Sequence, residues 1–132
     1  MKKTVIVGAT ANPSRYAHIA ATMLTEYDHE IVPIGIKNET VLGKQILNLR
    51  DKPVIENVDT ITLYIGPQNQ PEWYDYLLSL KPKRIIFNPG TENDELENRA
   101  EAQGIEVVEG CTLVMLRANQ YWAQLIDCNK CN

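Results

Sequence analysis

Residues 4–7 read Thr-Val-Ile-Val, and the run stops at Gly8. A continuous apolar run of this kind suits a strand covered on both faces. The glycine after it permits a tight reversal. Small and polar residues follow, then Arg15, then Tyr16, Ala20, Met23, Leu24 and Tyr27 at helical spacing on one face. The stretch therefore predicts a buried strand, a tight turn and a helix start in immediate succession. A helix N-terminus presents unpaired N–H groups and the positive end of the helix dipole, so it attracts anions, phosphate above all. This combination confines the chain to an α/β architecture and makes residues 8–16 a candidate phosphate-binding turn.

The rest of the chain keeps the alternation. Further strands are predicted at 30–34, ending at Gly35; at 60–65, closed by Gly66 and Pro67; at 84–87, followed by Asn88-Pro89-Gly90; and at 105–108. Between them, Trp73, Tyr74, Leu77 and Leu78 form the buried stripe of a helix that starts at Pro71 and stops at Pro82. A third helix is expected from about Asn93 to Gln103 with Gly104 as its C-terminal cap, and a last one from Cys111 to about Ile126 with Thr112 as N-cap. Residues 36–57 carry no clear period, and 42–46 read as a short extra strand or a turn. The expected fold is a Rossmann-like open parallel sheet of about five strands with helices on both faces. Its domain spans residues 1–121, and residues 122–132 are the helix end and tail. In such sheets ligands bind beyond the carboxyl ends of the strands. The loops there are 8–15, 35–37, 66–70, 88–91 and 109–112.

Composition narrows the function classes. Seventeen acidic against thirteen basic residues give a net charge of -4, which argues against a nucleic-acid surface. Apolar runs are far short of a membrane span, and the chain enters its first strand without a signal-like pattern, so a cytoplasmic location is expected. Three cysteines, an odd number, argue against a disulfide framework as the organising device. Cys128 and Cys131 read as two thiols on a tail rather than half a zinc site, which needs about four ligands. Cys111 reads as a small core residue, with a reactive thiol near a helix start as the other option. His18 and His29 read as helix-surface and turn residues, and Glu92, Asp94, Glu95 and Glu97 as a solvated helix start. No catalytic set and no metal site are expected. Trp73, Tyr121 and Trp122 are candidates for either core or a homo-oligomer interface.

The ligand can be narrowed further. Of the dinucleotide fingerprint Gly-x-Gly-x-x-Gly only the first glycine is present; Thr10 and Pro13 stand at the other two positions. Plain NAD also calls for an acidic residue after the second strand, where this chain has Gly35-Ile36-Lys37. A lysine there favours a phosphate on the ribose, as in NADP and coenzyme A. Arg15 at the helix start opposes the dipole, but a guanidinium there can hold a phosphate bidentately. Thr10 and Asn12 can bond phosphate oxygens or close the turn on themselves.

Gly8-Ala9-Thr10-Ala11-Asn12-Pro13-Ser14-Arg15-Tyr16 resembles the opening motif of the small CoA-binding domain family. That family is similar in turn to the CoA-binding domain of the succinyl-CoA synthetase alpha subunit. The resemblance continues through Val32-Pro33-Ile34-Gly35, residues 58–64, Asn88-Pro89-Gly90-Thr91 and residues 104–112, to about Tyr121. It implies a nucleotide-binding domain with the first loop and Arg15 on a pyrophosphate. The ligand would be coenzyme A or an acyl-CoA, with Lys37 near the 3′-phosphate and the pantetheine arm running towards Gly66 and Asn88-Pro89-Gly90. The alpha subunit's phosphorylated histidine comes from a second domain that has no counterpart here, so ligase activity is not expected. The expected function is CoA binding without catalysis. The alternatives are a small NADP-dependent oxidoreductase or redox sensor, and a Rossmann module that binds a protein partner.

Overall fold

The structure, a computed structural model, describes residues 2–121. The five strands expected from the sequence all form, as β1 (Thr4–Val7), β2 (Ile31–Gly35), β6 (Thr60–Leu63), β7 (Arg84–Phe87) and β8 (Glu106–Glu109). The segment without a period supplies three more two-residue strands: β3 (Thr40–Val41), β4 (Lys44–Gln45) and β5 (Leu47–Asn48). The main sheet has six parallel strands in the order β5-β2-β1-β6-β7-β8. Numbered along the chain within this sheet, that is 3-2-1-4-5-6, the doubly wound order whose direction of winding reverses between β1 and β6. β5 was not foreseen as a strand because it is recruited by Ile34 and Gly35 opposite it, not by its own pattern.

The alternation of side chains along each strand divides the core in two. Val5, Val7, Ile61, Leu63, Ile85 and Phe87 pack under α2 (Tyr74–Ser79) and α3 (Asp94–Ala102). Ile6 and Ile86 pack under α1 (Tyr16–Glu26) and α4 (Thr112–Arg117). Trp73 and Tyr121 belong to these cores. Trp122 and the Cys128/Cys131 pair lie outside the described residues, as does the tail expected at 122–132.

Two boundaries differ from expectation. β3 and β4 form a hairpin turned by Leu42 and Gly43, both at positive φ, the conformation that two-residue hairpin turns require. The last helix stops at Arg117 rather than near 126. Asn119 adopts φ 58, its amide bonds Leu116 O at 3.1 Å, and Gln120 N bonds Met115 O at 2.7 Å. This is a Schellman stop. Asp28 and Gly104 end α1 and α3 in the same way. At the other end of α4 the N-cap position is Cys111, not Thr112.

Candidate functional site

A cleft of about 1330 Å³ opens beyond the carboxyl ends of β1, β2 and β6, at the reversal point of the sheet. Gly8, Ala9, Thr10, Asn12, Arg15 and Tyr16 line it from the β1–α1 turn; Gly35 and Lys37 from the end of β2; Gly66 after β6; and Gly90 after β7. Of the residues expected from sequence, Pro13 and Asn88 do not line it.

The turn is built from its own side chains. Gly8 N and Ala9 N both donate to Ile34 O, at 2.9 and 3.0 Å, so the first two amides tie β1 to β2 rather than facing the cleft. Thr10 Oγ1 accepts from Asn12 N at 3.1 Å, and Asn12 Oδ1 accepts from Ser14 N at 3.0 Å and Ser14 Oγ at 2.8 Å. Arg15 is the N-cap of α1 in extended conformation, and no side chain caps this helix. The amides of Tyr16 and Ala17 find no acceptor among the described residues. An eleven-residue helix thus points its uncapped N-terminus, flanked by a guanidinium, into the cleft. That is the geometry of an anion site.

The glycines serve two different ends. Gly8 has φ 97, and a Cβ there would lie 3.2 Å from Tyr64 C, so both conformation and space demand glycine. Gly35 has ordinary dihedral angles, but a Cβ would lie 2.8 Å from Ala9 O. It lets the β1–α1 turn approach β2.

Asn88 turns inward. Only 2 % exposed, its Nδ2 donates to Thr62 Oγ1 at 2.7 Å and Leu63 O at 2.9 Å, while its Oδ1 accepts from Thr112 N at 2.9 Å. It places the β7 loop instead of touching the cleft. Gln70, fully buried, performs a similar service: its Nε2 donates to Ile65 O at 2.9 Å and Thr91 O at 2.8 Å, and both of those residues line the cleft.

Sequence reasoning missed several wall residues. Glu39, Leu49 and Arg50 come from the segment without a period, and Trp73 was read only as a helix stripe or interface. Tyr64 also lines the cleft, and burial pushes its phenol up to about 12. Cys111 and His18 do not line it. His29 sits at the opposite end of the sheet, where its Nδ1 accepts from Lys2 N at 2.9 Å and burial, aided by Lys2 and Arg84, lowers its pKa. Glu97 is not the solvated residue expected: it is half-buried, and its carboxyl oxygen lies within 4.8 Å of those of Asp94 and Glu109. Burial and the neighbouring Glu109 raise it to about 7.

The chain matches the family described as CoA binding domain over residues 2–117. A crystal structure of an uncharacterized protein is 60% identical, with a TM-score of 0.89 over 92% of this chain and 98% of that one. A protein from Thermus thermophilus is 24% identical, with a TM-score of 0.79 over 91% of this chain and 90% of that one. A hypothetical protein from Pyrococcus horikoshii OT3 is also 24% identical, with a TM-score of 0.77 over 90% and 83%. These last two show the shared fold. No curated protein matches the chain.

Proposed function

The chain belongs to the CoA binding domain family, and on that premise we propose that the cleft takes coenzyme A or an acyl-CoA as its ligand. The observation that carries this reading is the uncapped N-terminus of α1, with Arg15 as its cap residue, opening at the reversal point of the sheet. In the proposed pose the diphosphate lies against the free amides of Tyr16 and Ala17 and the Arg15 guanidinium. Lys37 and Arg50, on the β2 side of the cleft, receive the 3′-phosphate. The pantetheine arm runs past Gly66 and Gly90 along the wall that Gln70 holds together.

We read the role as binding rather than catalysis. What supports this is the match to a family whose description names binding alone. No helix among the described residues is long and apolar enough to cross a membrane.

A thermal-shift series with CoA, acetyl-CoA, dephospho-CoA, NADP and NAD tests the proposal. A ligand that binds only the native state raises the midpoint by mass action. CoA and acetyl-CoA are expected to raise it, and dephospho-CoA less so. Stabilisation by NADP alone, or by none of the five, overturns the reading.

A further inference from the structure

The hairpin of β3 and β4 sends Val41 into the core and also holds one side chain of the cleft in place. Ile46 N donates to Glu39 O at 2.9 Å and Gln45 Nε2 donates to the same oxygen at 3.1 Å. From this anchored position Glu39 reaches back across the cleft to the β1–α1 turn, where its Oε1 accepts from Ala11 N at 3.5 Å. Ala11 lies between Thr10 and Asn12, both of which line the cleft.

A carboxylate is out of character here. Arg15, Lys37 and Arg50 make this part of the cleft cationic, and Glu39 stands among them. A charge-assisted hydrogen bond ordinarily closes to about 2.7–2.9 Å. At 3.5 Å the Glu39 contact is loose, and a phosphate oxygen entering the turn competes for the same N–H.

We propose that Glu39 is an internal stand-in for the ligand's phosphate, resting on the Ala11 amide in the free protein and displaced when a diphosphate enters. The proposal rests on the reading of the cleft as a CoA site and adds an affinity threshold to it, the same for every phosphate that enters. A tethered carboxylate competes at high effective concentration. Orthophosphate, which brings no other contacts, is kept out. A ligand that also engages Arg15, Lys37 and the far wall offsets the displacement.

The test is Glu39→Gln, which keeps the shape and removes the charge. Dissociation constants are measured calorimetrically for CoA, dephospho-CoA, inorganic pyrophosphate and orthophosphate. Because the same displacement is removed in every case, all four should tighten by one common factor, about tenfold for the loss of a charged competitor at an amide. A uniform loss of affinity would assign Glu39 to holding the ligand, and a change confined to CoA would assign it to repelling the 3′-phosphate; either overturns the proposal, as does no change. A measurement without ligand separates this inference from the CoA reading. Hydrogen exchange of the Ala11 amide in the ligand-free protein should be faster in Glu39→Ala than in wild type, with the rest of the β1–α1 turn unchanged. Equal exchange at Ala11 in the two proteins sinks the stand-in contact whatever the cleft binds. Failure of the wild-type protein to bind any of the four, with the Ala11 exchange difference intact, overturns the CoA reading alone.

Discussion

Asn88 Oδ1 accepts the amide of Thr112 at 2.9 Å, so the first turn of α4 is capped from the end of β7, twenty-four residues away in the chain. The same side chain donates to Thr62 Oγ1 and Leu63 O, and Thr62 Oγ1 meets Thr112 Oγ1 at 2.8 Å. One buried carboxamide therefore joins β6, β7 and α4. Asn88→Ala leaves three buried polar groups short of a partner. The expected cost is about 3 kcal/mol, or a fall of about 10 °C in the thermal midpoint. Because Asn88 does not line the cleft, CoA affinity measured well below the midpoint should change far less than in the cleft variants below.

Arg15 is the converse case, exposed at the helix start and making no capping bond to α1. Removing it should leave stability nearly untouched, since surface changes of this kind stay within about 0.5 kcal/mol. CoA affinity should fall about 30-fold in Arg15→Ala, the loss of a charged hydrogen bond worth about 2 kcal/mol. Arg15→Lys should restore only part of it, because an ammonium cannot bind a phosphate in two-pronged fashion. Calorimetric titration of the three proteins checks the order.

At Gly35 stability and binding should fail together. A Cβ would sit 2.8 Å from Ala9 O, and that atom is backbone, so the β1–α1 turn must move as a unit. The displaced turn is the one that carries Arg15 and the Tyr16 and Ala17 amides to the cleft. Gly35→Ala should lower the midpoint by several degrees and weaken CoA by more than tenfold, on the scale of overpacking costs of about 1–3 kcal/mol. Normal affinity in a normally stable variant would mean that β2 and the turn are not in this contact.

What could be read in advance follows from how local each signal is. The runs at 4–7, 60–63 and 84–87 are apolar or threonine-rich in themselves, and each became a fully buried strand. Arg15 after a strand, a glycine and a turn is likewise a local signal, and it reached the cleft. The unread features depend on distant partners. Leu47 and Asn48 form a strand only because Ile34 and Gly35 lie beside them. Glu39 and Arg50 reach the cleft only through the folding of the segment without a period. Asn88 before Pro89-Gly90 reads as a turn residue, and its burial is set by Thr62 and Thr112. The end of α4 was overrun because the apolar period continues to Tyr121; Asn119, a residue suited to the left-handed position of a helix stop, was the local signal passed over.

Glu97 and Glu109 should make stability depend on pH. Burial first, then the Glu109 carboxyl and the charges of Glu109 and Asp94, raise Glu97 to about 7, against the opposing hydrogen bond from Asn93 N. A carboxyl raised in the folded state binds its proton more tightly than in the unfolded chain. Its stabilising contribution is complete below the unfolded value of about 4.5 and is lost as pH rises through about 7. His29, lowered by burial, acts in the opposite sense, costing stability as pH falls below its ordinary range. The readout is therefore the difference between wild type and Glu97→Gln, whose amide oxygen can still accept from Asn93 N. The midpoint of the variant should exceed that of wild type at pH 8 and converge with it at pH 5. A constant difference across that range would show that the pair shares no proton.

Lys37 and Arg50 should divide CoA from dephospho-CoA. Both line the β2 side of the cleft, both are exposed, and neither takes part in an ion pair among the described residues. Neither cation is held in an ion pair among the described residues, and the 3′-phosphate of CoA, nearly doubly charged at neutral pH, would supply a partner. If that is their work, Lys37→Ala and Arg50→Ala should each weaken CoA about twofold to fivefold, as loss of a solvated charge contact does. Both should leave dephospho-CoA almost unchanged, and raising the salt concentration should erase the difference. The double variant should bind the two ligands equally. Equal losses for CoA and dephospho-CoA would instead place these cations on the diphosphate, and the adenosine end of the ligand would then have to lie elsewhere along the cleft.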